Sequence, residues 1–168
     1  MKKIDTKLIL LINLLFRVTQ GIMALNDTHT WRLSMTIRTI AKQFYREVKP
    51  HVVRMAGTFS RFDKGIRYDI PDKVPGIYFI CRSNGKVAYI GETGRCIKRR
   101  IARHKRSMND PTWGGECSGL KFVEAGIQDE DFILKFIPAK ALKLKCKHDL
   151  LAAEGLLVTA LKPMVYKK

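Results

Sequence analysis

Two tyrosines, an arginine, a histidine and a distant glutamate are the side chains here whose types could do chemistry: proton transfer, anion contact and cation binding. Tyr78 and Tyr89 flank Asn84-Gly85, the strongest short-range hairpin signal, because both central residues of a type I′ turn need positive φ. With those two residues as the turn, Ser83 pairs with Lys86, Ile80 with Tyr89, and Tyr78 with Gly91. The phenols then share one face as diagonal neighbours about 7 Å apart, and the bare glycine opposite Tyr78 leaves that corner open. Ile77, Phe79, Ala88 and Ile90 are expected to point the other way, into a core. Two tyrosines on a sheet face are by themselves ordinary packing. As chemistry they offer a proton donor or, once ionised, a general base; a phenol's usual pKa near 10 means that the second role needs a cation nearby.

Cations follow at once. Ile97 and Ile101 form a narrow apolar stripe on a predicted helix that Thr93 or Gly94 would start, and Arg100 and His104 stand at i and i+4 beside that stripe. That position lets both reach a groove. Arg95, Lys98, Arg99, Arg103, Lys105 and Arg106 cover the remaining surface, with no acidic residue between Arg95 and Ser107. Like charges at i, i+4 destabilise a helix, so a row this dense implies compensation by the phosphates of a nucleic acid; a merely solvated face would mix in glutamates. The last periodic segment, His148 to Leu161, sets Leu150, Leu151, Leu157, Val158 and Leu161 along one stripe with Glu154 in its middle. A carboxylate on the buried side of a helix costs on the order of several kcal/mol unless paired. An arginine or a metal ion is its expected partner, and the helix alone does not choose between them.

The elements that must hold these groups fit one domain with an extension. The chain has 168 residues, and its 46% hydrophobic content is enough for a real core. Thirty-two Lys and Arg against fifteen Asp and Glu give a formal charge of +17, which points to a polyanionic partner; a charge that only keeps the protein soluble is the plain alternative. Nucleic acid fits better than a membrane, because the charge is spread over most of the chain and is densest on a helix that also carries an apolar face. Cys81, Cys96, Cys117 and Cys146 form no CxxC pair, which argues against zinc and for a reducing, cytoplasmic setting.

In chain order, residues 1–32 read as an uncertain leader. Leu8 to Phe16 is apolar but too short to span a bilayer, leaving a signal peptide or a leader ahead of Met23 or Met35 as its readings. Residues 33–74 read as a basic helical extension and a connection. Ile37, Ile40, Ala41, Phe44 and Val48 recur at helical spacing, with Arg38, Lys42, Arg46 and Lys49 off that stripe, free to lie along phosphates, and Pro50 as the stop. A short extended piece is expected around Ile66 to Ile70. Residues 75–168 form the third unit, with Ser107 to Ile127 loop-like and Phe132 to Ile137 the third strand. Trp113 in that loop is either a stacking group for bases or a buried anchor.

The tripeptides Gly76-Ile77-Tyr78 and Tyr89-Ile90-Gly91, followed by Arg100 and His104 on the next helix, resemble the GIY-YIG nuclease superfamily. The resemblance implies an α+β fold, a small α/β sandwich whose three-stranded antiparallel sheet is flanked by helices, preceded here by the N-terminal helical extension. It implies a metal-dependent DNA endonuclease, of restriction or mobile-element type, with one Mg²⁺ or Mn²⁺ held by a single glutamate of a late helix. Glu154, ahead of Lys162-Pro163, matches that glutamate. Tyr78 would be the general base, with Tyr89 and His104 assisting, and Arg100 would stabilise the pentacovalent phosphate; His104 as base with Tyr78 as donor is the competing assignment. Double-stranded DNA is the implied partner, and a homodimer one route to cutting both strands. The sequence departs from the pattern in three places. One extra residue precedes the helix, so that Arg99 or Arg103 would replace Arg100 in a shifted register; Glu92 stands where lysine is frequent; and Met164, Val165 and Tyr166 stand where an asparagine is usual. A catalytically inactive nucleic-acid-binding module of the same fold, and a basic structural protein, are the alternative readings.

Overall fold

The computed structural model describes residues 27–55, 58, 60, 72–110, 119–144 and 146–165. Helix α1 (Asp27–Val48) ends where Pro50 enters a 3-10 turn, Lys49–His51, and a two-residue strand β1 (Val53–Arg54) follows. Strands β2 (Gly76–Arg82) and β3 (Val87–Thr93) form the hairpin, and helix α2 (Ile97–Asn109) follows them. A short helix α3 (Gly119–Glu124), strand β4 (Phe132–Pro138), a 3-10 turn (Ala139–Leu142) and helix α4 (Lys147–Leu161) complete the order. The sheet is antiparallel throughout, in the order β1-β4-β2-β3.

The fold is α+β with helices flanking the sheet, as expected, but the sheet has four strands rather than three. The added strand is β1, which pairs Val53 and Arg54 with Phe136 and Lys135 on the far edge of β4. Both its residues are exposed; two residues carry no periodicity, so only the pairing reveals the strand. The expected piece at Ile66 to Ile70, like Leu8 to Phe16, Trp113 and Cys117, lies outside the described residues. The predicted loop from Ser107 is also shorter. Ser107 still belongs to α2, and Gly119 to Glu124 is helical.

The hairpin keeps the predicted register at its chemical end and changes it at the tip. Tyr78 pairs with Gly91 and Ile80 with Tyr89, yet Cys81 pairs with Val87 across a bulge. The tip is a three-residue loop. Arg82 N–H donates to the Lys86 carbonyl at 2.8 Å, Gly85 N–H donates to the Arg82 carbonyl at 2.8 Å, and Gly85 takes φ +83°, a conformation glycine adopts without a Cβ penalty. The bulge leaves Ala88 as the extra residue, so Ala88 packs on the tyrosine face rather than on the opposite one.

Each face of the sheet has its own core. On one, Ile77, Phe79, Cys81, Ile90 and Ile137 are covered by Ala41, Phe44 and Val48 of α1 and by Leu150, Ala153 and Leu157 of α4. On the other, Tyr78, Ile80, Tyr89 and Leu134 are covered by Ile97, Ile101 and Met108 of α2 and by Phe122 of α3. The buried side of α4 includes Ala152, Ala153 and Leu156 and leaves Leu151 exposed, which moves Glu154 from the middle of the apolar stripe to its margin. Among the described residues, no helix is long and apolar enough to cross a membrane.

Candidate active site

The hairpin and α2 bring Tyr78, Tyr89, Arg100 and His104 together on the second face of the sheet. A 2.6 Å hydrogen bond joins Tyr78 Oη to His104 Nε2, its direction set by the imidazole tautomer. The Tyr89 ring stands 4.8 Å from that of His104 and 6.1 Å from that of Tyr78, centroid to centroid. Tyr78, Tyr89 and His104 are buried. Arg100 and Glu154 are half-buried and form the part of the group that solvent reaches.

Burial pushes the Tyr78 phenol well above its usual 10.0, the negative character of Tyr89 adds to the rise, and the Arg100 guanidinium beside it works in the opposite direction. The Glu154 carboxylate is close enough to contribute a further rise. Tyr78 is therefore a neutral phenol in the protein at rest. The same interactions tie α4 to the hairpin site and resolve the register of α2. Arg100 and His104 face the sheet, while Arg99 and Arg103 are exposed.

Both motif glycines have a steric reason. A Cβ on Gly91 would run into the Tyr78 hydroxyl and ring carbon and the Tyr89 ring, and a Cβ on Gly76 would run into the Ile137 carbonyl oxygen of β4. The corner expected to be open beside Gly91 is thus occupied by the Tyr78 phenol itself.

The remaining predicted contacts lie on the outer side of α2. Arg95, Arg99, Arg103 and Arg106 are exposed and Lys98 and Lys105 half-buried, and Lys98 makes a 3.4 Å ion pair with the largely exposed Asp72. Glu92, opposite Ile77, is half-buried, and one of its carboxylate oxygens has no hydrogen-bond partner among the described residues. Two supporting residues carry no sequence signal of their own. Phe122 of α3 has its ring 6.0 Å from Tyr89 and 6.5 Å from His104. Ser107 Oγ donates to the His104 carbonyl at 3.0 Å and accepts from Gly119 N–H at 3.1 Å, and Gly119 is bare because a Cβ there would strike Ser107.

A divalent cation fits this donor set. Among the described residues no three His, Cys, Asp or Glu side chains converge, so the protein would offer Glu154 as a lone carboxylate. Mg²⁺ accepts such a site, since it holds on to several waters and takes its other ligands from phosphate.

No curated protein and no solved structure matches the chain. Residues 74–136, which run from the approach to β2 into β4 and include both tripeptides, Arg100 and His104, match the family model of the GIY-YIG catalytic domain; the match supports the resemblance of this part of the chain to the GIY-YIG nuclease superfamily.

Proposed function

We propose that the protein is a metal-dependent endonuclease that hydrolyses phosphodiester bonds in DNA. The observation that carries this reading is the convergence of the Tyr78–His104 hydrogen bond with Arg100 and Glu154: a proton relay, a cation and a carboxylate in one place. Glu154 would hold Mg²⁺ or Mn²⁺, which supplies charge neutralisation at a phosphate oxygen and at the leaving oxygen.

Arg100, half-open to solvent, receives the phosphate and opposes the charge that builds on it; a planar guanidinium fork suits that task. Tyr78 takes the proton of the attacking water only as its own proton leaves, because burial keeps the phenol neutral. His104 accepts that proton through the 2.6 Å bond. Since His104 is fully buried, it acts through Tyr78, and the two competing base assignments become one coupled pair. Tyr89, edge-on to the imidazole, orients it. The exposed arginines of α2 lie outside the pocket of reacting groups, where they meet flanking phosphates of double-stranded DNA.

The test is nicking of supercoiled plasmid with Mg²⁺ or with EDTA, comparing wild type with Glu154→Ala. Cutting by wild type with Mg²⁺ only, and none by the variant, is expected. Equal cutting by both proteins overturns the metal-site assignment; tight DNA binding by wild type with no cutting under any metal favours an inactive binding module.

A further inference from the structure

The face of the sheet turned away from Tyr78 and His104 carries a cavity. It is about 320 Å³ and is lined by Tyr45, Lys49, Arg54, Phe79, Cys81 and Lys135, among others. Its floor is apolar. Phe79 and Cys81 belong to the core on this face and Tyr45 packs against it, while burial pushes the Cys81 thiol up and keeps it neutral. The rim is cationic, with Lys49 from the turn after α1, Arg54 from β1 and Lys135 from β4, the last two paired in register. Among the described residues no carboxylate lines it.

The cavity continues a charged track. Arg38, Lys42 and Arg46 recur at i, i+4 and i+8, a spacing that keeps them on one side of α1, Lys49 follows in the 3-10 turn, and all four are exposed. Glu47, the acidic neighbour, lies off this row and is hydrogen-bonded by Gln43 at 3.3 Å. A row of positive charge that ends at an aromatic-walled hole has the complementary form of a chain of phosphates ending in an unstacked base. The volume lies at the lower end of small-ligand sites, so the hole admits a base and its sugar but not a duplex.

We propose that this surface is a binding site for single-stranded nucleic acid, with phosphates along Arg38, Lys42, Arg46 and Lys49 and one unpaired nucleotide seated in the cavity against Tyr45 and Phe79. Stacking on aromatic walls and phosphate tracking by cations are how single strands are held without regard to sequence. This goes beyond the cleavage reading and does not need it. A strand tail or flap would be held here while a duplex is cut on the opposite face. A free mononucleotide shares the chemistry of the cavity but not of the track.

The test uses the full chain in EDTA and a labelled oligothymidylate, read by fluorescence anisotropy over a salt series, with free thymidine monophosphate as competitor. Arg54→Gln with Lys135→Gln is expected to weaken binding about tenfold and to flatten the dependence of log affinity on log salt by about 1.4, two single-strand phosphate contacts' worth. Tyr45→Leu, which keeps most of the packing volume, is expected to weaken binding several-fold with the salt slope unchanged. Photocrosslinks from an iodouracil-substituted strand should map to Tyr45 or Phe79. Thermal melts establish that each variant is folded. The proposal is overturned if folded variants bind the strand as wild type does, or if crosslinks map only to α2. It is also overturned if the mononucleotide competes as strongly as the strand, or if the variants change self-association instead of strand binding. Plasmid cutting by Arg54→Gln with Lys135→Gln at saturating protein should equal that of wild type. A wild type that binds the strand but never cuts would defeat the endonuclease reading and leave this one standing.

Discussion

The Tyr78 hydroxyl is where burial, charge and hydrogen bonding meet. Its folded pKa is raised, chiefly by burial, so the unfolded chain would release this proton first as pH rises. The phenol's contribution to stability is therefore whole below the ordinary value of 10.0 and is lost as pH climbs through the folded value. Tyr78→Phe should lose less stability between neutral and strongly alkaline pH than wild type does, measured as the shift of the denaturant midpoint. A Tyr78→Phe variant whose midpoint falls as steeply as that of wild type would contradict it. In catalysis the same substitution should lower the cutting rate about a hundredfold or more with DNA affinity intact, as should His104→Ala. The pairing of Tyr78 with Gly91 agrees with the sequence reading because the bulge at Ala88 restores the register that the three-residue tip shifts by one. The phenol's contact with His104 is not legible in the sequence, since it depends on how closely α2 approaches the sheet. Glu154 stands out through the cost of a charged group on an apolar helix, although it proves to sit at the margin of the buried side rather than its middle.

At the scale of elements, each glycine of the tripeptides marks a close approach between strands and side chains. Gly91→Ala should displace the Tyr78 ring, because the added methyl meets the hydroxyl and ring carbon directly. Its expected signature is loss of plasmid cutting out of proportion to the loss of stability, compared by denaturant titration on the same samples. Helix α2 divides its cations by side, with Arg100 turned to the sheet and Arg99 and Arg103 to solvent. Arg99→Gln with Arg103→Gln should weaken duplex binding and lower the magnitude of the log affinity–log salt slope by roughly 1.8, two phosphate contacts' worth; an unchanged slope would remove these side chains from the phosphate contacts. The stripe of Ile97 and Ile101 makes this side-by-side division readable in advance. Strand β1 and helix α3 are not readable, for a shared reason: two and six residues are too short to show a period, and both are stabilised by what they pack against.

For the molecule as a whole, the stretch that matches the catalytic-domain family lacks the helices that cover one face of its sheet. Residues 74–136 supply three strands and the helices α2 and α3, which close only one face of the sheet. The other face is closed by α1 and α4, both outside that stretch. Ala41, Phe44 and Val48 are each at most 2% exposed, so the basic N-terminal helix is a structural part of the core as well as a charged surface. Composition anticipates the charge and periodicity the helix, but which sheet face the stripe covers is a tertiary fact. Phe44→Ala should destabilise the fold by about 3–5 kcal/mol, the usual range for deleting a buried phenylalanine, measured by urea unfolding. A fragment that begins at residue 49 exposes Ile77, Phe79, Ile90 and Ile137 on one side and should show no cooperative unfolding transition. The decisive comparison adds α1 back as a separate peptide of residues 27–48. Recovery of a cooperative transition in the mixture is expected if packing on the sheet is what the helix contributes. A fragment that unfolds cooperatively without it would show that α4 alone can close that face, and would return α1 to the status of an appended nucleic-acid-binding arm.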